Sequence, residues 1–162
     1  MFDPAWWEAM ILGTECAYCG PRKSADAEER IPVTTLPSGE VVLQPDGNFP
    51  GYCILYYHRH ATELFQLTPE ERTRFIEDVA NLAHAIWKVC RPAKLNYAIL
   101  GNELPHLHVH VIPRYPTDGW WGKPIWLRPP HERLPLDASK AQQIAEAIRS
   151  ELTPQEGQNH ER

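Results

Sequence analysis

Between residues 106 and 114 the chain alternates histidine with aliphatic residues: His106-Leu107-His108-Val109-His110-Val111-Ile112-Pro113-Arg114. A period of two sends successive side chains to opposite faces of a β-strand. Three imidazoles therefore share one face, and Leu107, Val109 and Val111 share the other. The aliphatic side predicts burial against a core and the histidine side an open face. Pro113 withdraws a backbone donor where the strand is expected to stop. Residues 41–44 also read as a strand, and the aromatic and aliphatic run 52–57 reads as a central one that delivers His58-Arg59-His60 to its end. Residues 96–100 form a further strand, returned by a tight loop over 101–105 to pair antiparallel with the histidine strand. From Ile31 to Gly39 the chain is punctuated by proline and Ser-Gly, and predicts a connection.

Helical periodicity occurs in three places. After Asp3-Pro4, residues 3–12 carry Trp6, Trp7, Met10 and Ile11 at the spacing of a short amphipathic helix. Thr68-Pro69-Glu70-Glu71 combines an N-cap threonine, proline at the first helical position and glutamate three residues on, a capping box. Phe75, Val79, Leu82, Ala83, Ile86 and Val89 then recur at helical spacing until Arg91-Pro92, predicting about six turns. This long helix should lie across the sheet, with His84 beside its apolar stripe. Asp137 is placed to cap a last helix through Ala141, Ile144, Ala145, Ile148 and Leu152. Between them, residues 115–130 hold Trp120, Trp121 and Trp126 among prolines and glycines, too punctuated for a long element. The pattern predicts one domain over 1–152 and a frayed polar tail over 153–162.

Composition narrows the function. A chain of 162 residues fits one ordinary domain. The formal net charge of -5 argues against a nucleic-acid polymer as partner, since non-specific binding to phosphate chains needs a basic field. An anionic ligand must then be met by local groups. No apolar run approaches a membrane span and the first residues lack a signal-peptide pattern, so the expectation is a cytoplasmic protein with no membrane partner. The 4 cysteines, at 16, 19, 53 and 90, do not make the disulfide framework of a small secreted domain. Cys16-Ala17-Tyr18-Cys19 is a CxxC knuckle, for which a zinc half-site, a redox pair and coincidence all remain open.

The histidine row carries the chemistry. Same-face neighbours on a strand lie about 7 Å apart, where two charged imidazoles repel by about 2.4 kcal/mol at an effective dielectric near 20. Three in a row call for an anion or a metal. One metal cannot easily hold all three, because the row spans about 14 Å while ligand bonds are near 2.1 Å.

The His-φ-His-φ-His-φ-φ run over 106–112, with Pro50-Gly51, Arg59-His60 and Leu67-Thr68-Pro69-Glu70-Glu71 in order before it, resembles the histidine triad (HIT) superfamily. It is most similar to the branch of HIT-like hydrolases related to diadenosine tetraphosphate hydrolases. The resemblance runs from about Cys16 to about Trp126. It implies an α+β fold with about five antiparallel strands, one long helix across the sheet, a shorter C-terminal helix, and a homodimer. It implies a nucleotide substrate attacked at its α-phosphate, of the dinucleoside polyphosphate or nucleoside phosphoramidate type, with no organic cofactor. His108 matches the nucleophile and would form a covalent nucleotidyl-histidine that water, or phosphate in a phosphorylase, resolves. A nucleophilic imidazole must be bare at the attacking nitrogen, its other nitrogen donating to a fixed acceptor. His110 is placed to donate to phosphate oxygen as charge builds. Asn102 and the Gly101 backbone add neutral donors, and Arg114 is either a phosphate ligand or a surface salt-bridge partner. Carried over residue by residue, the resemblance also implies a structural zinc on Cys16, Cys19, His60 and His106, a closed site of two thiolates and two imidazoles that pins the knuckle to the histidine strand.

Four positions depart from the family pattern. Tyr52 stands where Pro-Gly-His is usual, putting a phenol near the nucleotide. Gln44 stands where an Asp or Asn meets the ribose hydroxyls, which an amide still bonds. Asn102-Glu103 replaces a common Gln-Ser or Gln-Thr. Two other functions fit the same residues: a metallohydrolase with the catalytic ion on the histidine row, and a nucleotide-binding regulatory module with little turnover.

Overall fold

The computed structural model describes residues 3–19 and 30–153. Most of the polar stretch after the knuckle and all but the first residue of the expected tail lie outside the described residues. Chain order is α1 (Pro4–Ile11), β1 (Ile31–Leu36), β2 (Gly39–Leu43), β3 (Cys53–Tyr57), α2 (Pro69–Cys90), β4 (Lys94–Ala98), β5 (His108–Arg114) and α3 (Ala138–Leu152). The strands form one antiparallel sheet in the order β1-β2-β3-β5-β4. This is the α+β architecture that the family resemblance implied, with α1, expected from the periodicity of residues 3–12, as a third helix.

The aliphatic face of the sheet is the core. Val41, Leu43, Leu55, Val109 and Val111 pack there against Phe75, Leu82 and Ile86 of α2 and Ala141, Ala145 and Ile148 of α3. Each large aliphatic or aromatic side chain so buried contributes about 1.5–3 kcal/mol. The helix starts follow the sequence signals. Thr68 Oγ1 accepts from Glu71 N at 3.2 Å while Glu71 accepts from Thr68 N at 2.8 Å, and Asp137 accepts from Lys140 N at 3.0 Å. Arg91, in the left-handed region with φ 48°, ends α2 before Pro92. His84 is exposed.

Three expectations are corrected here. Residues 31–36 form β1 despite Pro32, because β1 is an edge strand and its register shifts between Pro32 and Thr34. Arg149 of α3 donates to the Val33 carbonyl at 2.5 Å and the Pro32 carbonyl at 3.2 Å, covering backbone acceptors of that strand. The loop between β4 and β5 is also longer than expected: β4 ends at Ala98 and β5 begins at His108. Pro113 is paired within β5 and the strand runs one residue beyond it.

Cys53, in the middle of the core, pairs with Val111, and the same register sets Ile54 opposite His110 and Tyr56 opposite His108. The chain enters β3 through Gly51, whose φ of 94° and approach to Cys90 Sγ leave no room for a Cβ. No helix among the described residues is long and apolar enough to cross a membrane.

Candidate active site and metal centre

The second face of the sheet carries the histidines, and it is covered. His106, His108 and His110 are 1%, 6% and 9% exposed, where the alternation predicted an open face. Tyr18 of the knuckle sits 4.4 Å from the His106 ring, Tyr56 stacks on His108 at 5.3 Å, and Trp126 stands edge-on to His110 at 5.3 Å. Aromatic side chains from three separate segments thus roof the row. Burial is what disfavours charge here. It lowers His108 and, joined by the His108 ring and the Arg30 charge, brings His110 down to about 3.

A neutral imidazole has one N–H to place, and the partners fix where each proton sits. His108 Nδ1 lies 2.6 Å from the His106 carbonyl, which can only accept, so Nδ1 carries the proton and Nε2 is bare. That bare nitrogen is 3.0 Å from His110 Nε2 and accepts from it. His110 Nδ1 is then bare, and the Tyr52 hydroxyl donates to it at 2.6 Å. One directed chain runs from phenol to His110 to His108 to a backbone carbonyl, and it leaves the His108 Nε2 lone pair unprotonated and engaged by the His110 N–H.

The other end of the row turns away. His106 Nε2 donates to the Tyr57 carbonyl at 2.7 Å, which leaves Nδ1 bare and 3.6 Å from Cys16 Sγ and 3.4 Å from Cys19 Sγ. His60 Nε2 donates to the Ile11 carbonyl at 2.8 Å, and its bare Nδ1 is 3.6 Å from Cys19 Sγ. Gly13, with φ 83°, brings the backbone after α1 against the His60 ring. All four ligand atoms lie within 4.8 Å of one another. A tetrahedral ion with sulfur at about 2.3 Å and nitrogen at about 2.0–2.1 Å separates sulfur from nitrogen by about 3.6 Å. Both imidazoles are also oriented by backbone carbonyls, as metal-binding histidines commonly are. The residues fit a closed four-ligand site. His108 and His110 are outside it, so one ion does not bind the whole row.

The remaining expected site residues divide. Gln44 follows β2 and its backbone N–H donates to the Tyr52 carbonyl at 2.8 Å, which sets the two side by side. Gly101 and Asn102 lie on the β4–β5 loop, Asn102 exposed; β4 ends with Ala98 opposite His110. Tyr52 faces His110. Arg114 is corrected: it is 4% exposed, and its five N–H groups are taken by Asp118 at 2.8 and 3.3 Å, Asn96 at 3.0 Å, and the carbonyls of Lys123, at 3.1 Å, and Trp120. A saturated guanidinium has no donor left for phosphate, and the ion pair is buried, not superficial. It ties down the loop that carries Trp120 and, further on, Trp126.

Arg30 was missed, because a single arginine beside a polar stretch carries no pattern. Its guanidinium lies 5.3 Å over the Tyr56 ring, and its Nε finds no hydrogen-bond partner among the described residues. It lines a groove of about 840 Å³ with Tyr18, Thr34, Glu40, Val42 and Tyr56. Tyr18 and Tyr56 belong both to this groove and to the roof of the histidine row.

The chain is similar to known proteins to different degrees. A bis(5'-nucleosyl)-tetraphosphatase (asymmetrical) of Schizosaccharomyces pombe is 33% identical over 90 residues, 52% of this chain and 48% of that protein, so the chain spans about half the length of the curated relative it matches. A histidine triad protein of Bradyrhizobium japonicum superposes with a TM-score of 0.71 at 29% identity, over 78% of this chain and 93% of that one. A Zn-bound histidine triad family protein of Mycobacterium smegmatis shares the fold at a TM-score of 0.56 and 16% identity, over 91% of each chain. The HIT domain family model matches residues 31–117, which takes in the sheet from β1 to the last residue of the histidine strand, and the chain belongs to that family.

Proposed function

We propose that this protein is a nucleotidyl hydrolase that cleaves at a nucleotide α-phosphate through a covalent adduct on His108. The observation that carries the proposal is the bare Nε2 of His108, held by the Nδ1 bond to the His106 carbonyl and faced by a donor on His110. Such a nitrogen is a neutral nucleophile with a fixed direction of attack. His110 is the catalytic partner whose Nε2–H turns to a phosphate oxygen as charge grows there. The yeast tetraphosphatase relative supports a dinucleoside polyphosphate as the substrate class.

Gln44 takes the ribose, and Gly101 with Asn102 supplies neutral donors from the β4–β5 loop. Arg30 takes the place of Arg114 as the cation that meets the polyphosphate chain. Water resolves the adduct in a hydrolase; inorganic phosphate would resolve the same adduct in a phosphorylase, and the products tell them apart.

Zinc belongs to the proposal as a structural ion. Cys16, Cys19, His60 and His106 would hold it, and when bound it supplies a cross-link between the knuckle, the end of β3 and the start of the histidine strand. A homodimer would join through β4, an edge strand followed by Ile99 and Leu100, with Tyr97 on it and all three exposed. Four free thiols, two of them in the ligand set, suit a cytoplasmic protein.

The test uses the whole chain and a dinucleoside tetraphosphate. Turnover is stopped in alkaline denaturant, where a nitrogen–phosphorus bond survives, and the peptide holding His108 is weighed. A nucleoside monophosphate on His108, absent from His108→Ala, is expected. Full turnover by His108→Ala would reject the mechanism.

A further inference from the structure

Where the family pattern leads from Pro50-Gly51 to a histidine, this chain has a phenol, and its geometry is specific. Tyr52 is 7% exposed, its ring centroid lies 5.8 Å from that of His110, and its Oη is 2.6 Å from His110 Nδ1. Because His110 Nε2 must donate to the bare Nε2 of His108, 3.0 Å away, the phenol is the donor in its own bond.

An imidazole at that position could take a proton from His110 as readily as give one. A buried phenol gives one and holds it; burial pushes the Tyr52 hydroxyl above its ordinary range. We propose that Tyr52 is the positioning residue of the transfer step, holding His110 as a neutral Nε2–H donor, and that it thereby selects phosphoanhydride substrates over phosphoramidates. This rests on the nucleotidyl-hydrolase reading above and names the leaving group that this site accepts.

The electron and proton balance gives the reason. His108 Nε2 forms a bond to the α-phosphorus as the bond from phosphorus to the leaving group breaks, and the electron pair departs with that group. In an anhydride the leaving oxygen belongs to a phosphate chain and departs as an anion, needing only the hydrogen bond that a neutral His110 provides. In a phosphoramidate the leaving nitrogen must gain a proton to depart as an amine. His110 could supply it only by becoming an anion, unless it had first been protonated at Nδ1, the atom that the Tyr52 hydroxyl occupies. Water then forms an oxygen–phosphorus bond, the nitrogen–phosphorus pair returns to His108 Nε2, and the proton leaves to solvent.

Whole protein carrying 15N-labelled histidine distinguishes the parts. The wild-type spectrum should place the His110 proton on Nε2 with Nδ1 bare. Tyr52→Phe should shift Nδ1 and mix the two tautomers, and lower kcat on a dinucleoside tetraphosphate by about tenfold, the worth of one buried hydrogen bond, with KM changed less than about twofold. Wild-type kcat/KM should favour that anhydride over adenosine 5′-phosphoramidate by about a hundredfold or more, and Tyr52→His should narrow the ratio by about tenfold. A wild-type His110 protonated on Nδ1, a Tyr52→Phe protein with unchanged tautomer and kcat, or equal use of the two substrates would each overturn the proposal. Should Tyr52→Phe fail to fold, the wild-type spectrum and substrate ratio still decide it. No turnover of either substrate overturns the selectivity, and an unmodified His108 then removes the enzyme reading as well; the spectrum separates that failure from a wrong hydrogen-bond assignment.

Discussion

His106, just before β5, and His108, its first residue, are two positions apart and both buried, yet their rings do opposite work. His106 spends its Nε2 proton on the Tyr57 carbonyl and offers Nδ1 to two cysteines. His108 spends its Nδ1 proton on the His106 carbonyl and offers Nε2 to the site. Alternation puts both rings on one face but does not choose their tautomers; the backbone carbonyl within reach of each ring does. The two ends are also joined by a single residue. His106 lends its ring to the cluster with Cys16, Cys19 and His60 and its carbonyl to the proposed nucleophile, so order in the knuckle is passed to His108 through one peptide unit.

The sharpest way to break this comparison is to exchange the losses. His108→Ala should lower kcat/KM on a dinucleoside tetraphosphate by on the order of 10⁴-fold and keep bound metal and melting temperature near wild type. Cys19→Ser should do the reverse. It should lose the ion by elemental analysis and lower Tm by on the order of 10 °C, with activity falling only as far as His108 loosens. A strong chelator acting on the wild type should reproduce that Tm loss. If His108→Ala released the metal, or Cys19→Ser kept it, the two ends would not be separate sites.

How much of this the chain reveals by itself depends on the range of the interactions. The histidine strand, the capping box at Thr68 and the stripe of α2 are local patterns, and each lands within two residues of its expected position. Residues 31–36 were illegible because what makes Pro32 tolerable is an edge position and a bulge, and Arg149 that covers it comes from 117 residues away. The histidine face looked open because its roof is drawn from Tyr18, Tyr56 and Trp126, which no periodicity connects. Arg114 looked like a phosphate ligand because the Asn96, Lys123 and Trp120 groups that saturate it meet only when the loop folds back. The metal set came from family likeness; spacing alone pointed no further than Cys16 and Cys19.

Arg30 offers a way to sharpen the catalytic side of the comparison. Its charge reaches both His108 and His110, yet it belongs to the groove and not to the proton chain. Arg30→Gln should therefore raise KM by about tenfold for a tetraphosphate, the worth of one charge-assisted hydrogen bond, and by less for substrates with fewer phosphates, while kcat holds within about threefold. An unchanged KM, or a loss confined to kcat, would remove Arg30 from the polyphosphate path.

The smallest effect concerns stability at low pH and isolates His110 from the Cys16, Cys19, His60 and His106 cluster. Its pKa is pulled from the ordinary 6.5 to about 3, chiefly by burial. The unfolded ring therefore takes up a proton between those values that the folded ring refuses, and stability falls as acid is added across that window. The contribution is fully present above about 6.5 and lost progressively as pH drops toward about 3. Replacing His110 with glutamine removes this group from the balance but leaves Cys16, Cys19, His60 and His106 in place. Urea unfolding of wild type and His110→Gln from pH 7 down to pH 4.5 should show a shallower decline in the variant, the remaining slope belonging to the other titrating groups. Parallel curves would mean that His110 keeps its ordinary proton affinity in the folded protein. The neutral, directed chain from Tyr52 to His108 would then lose its middle link.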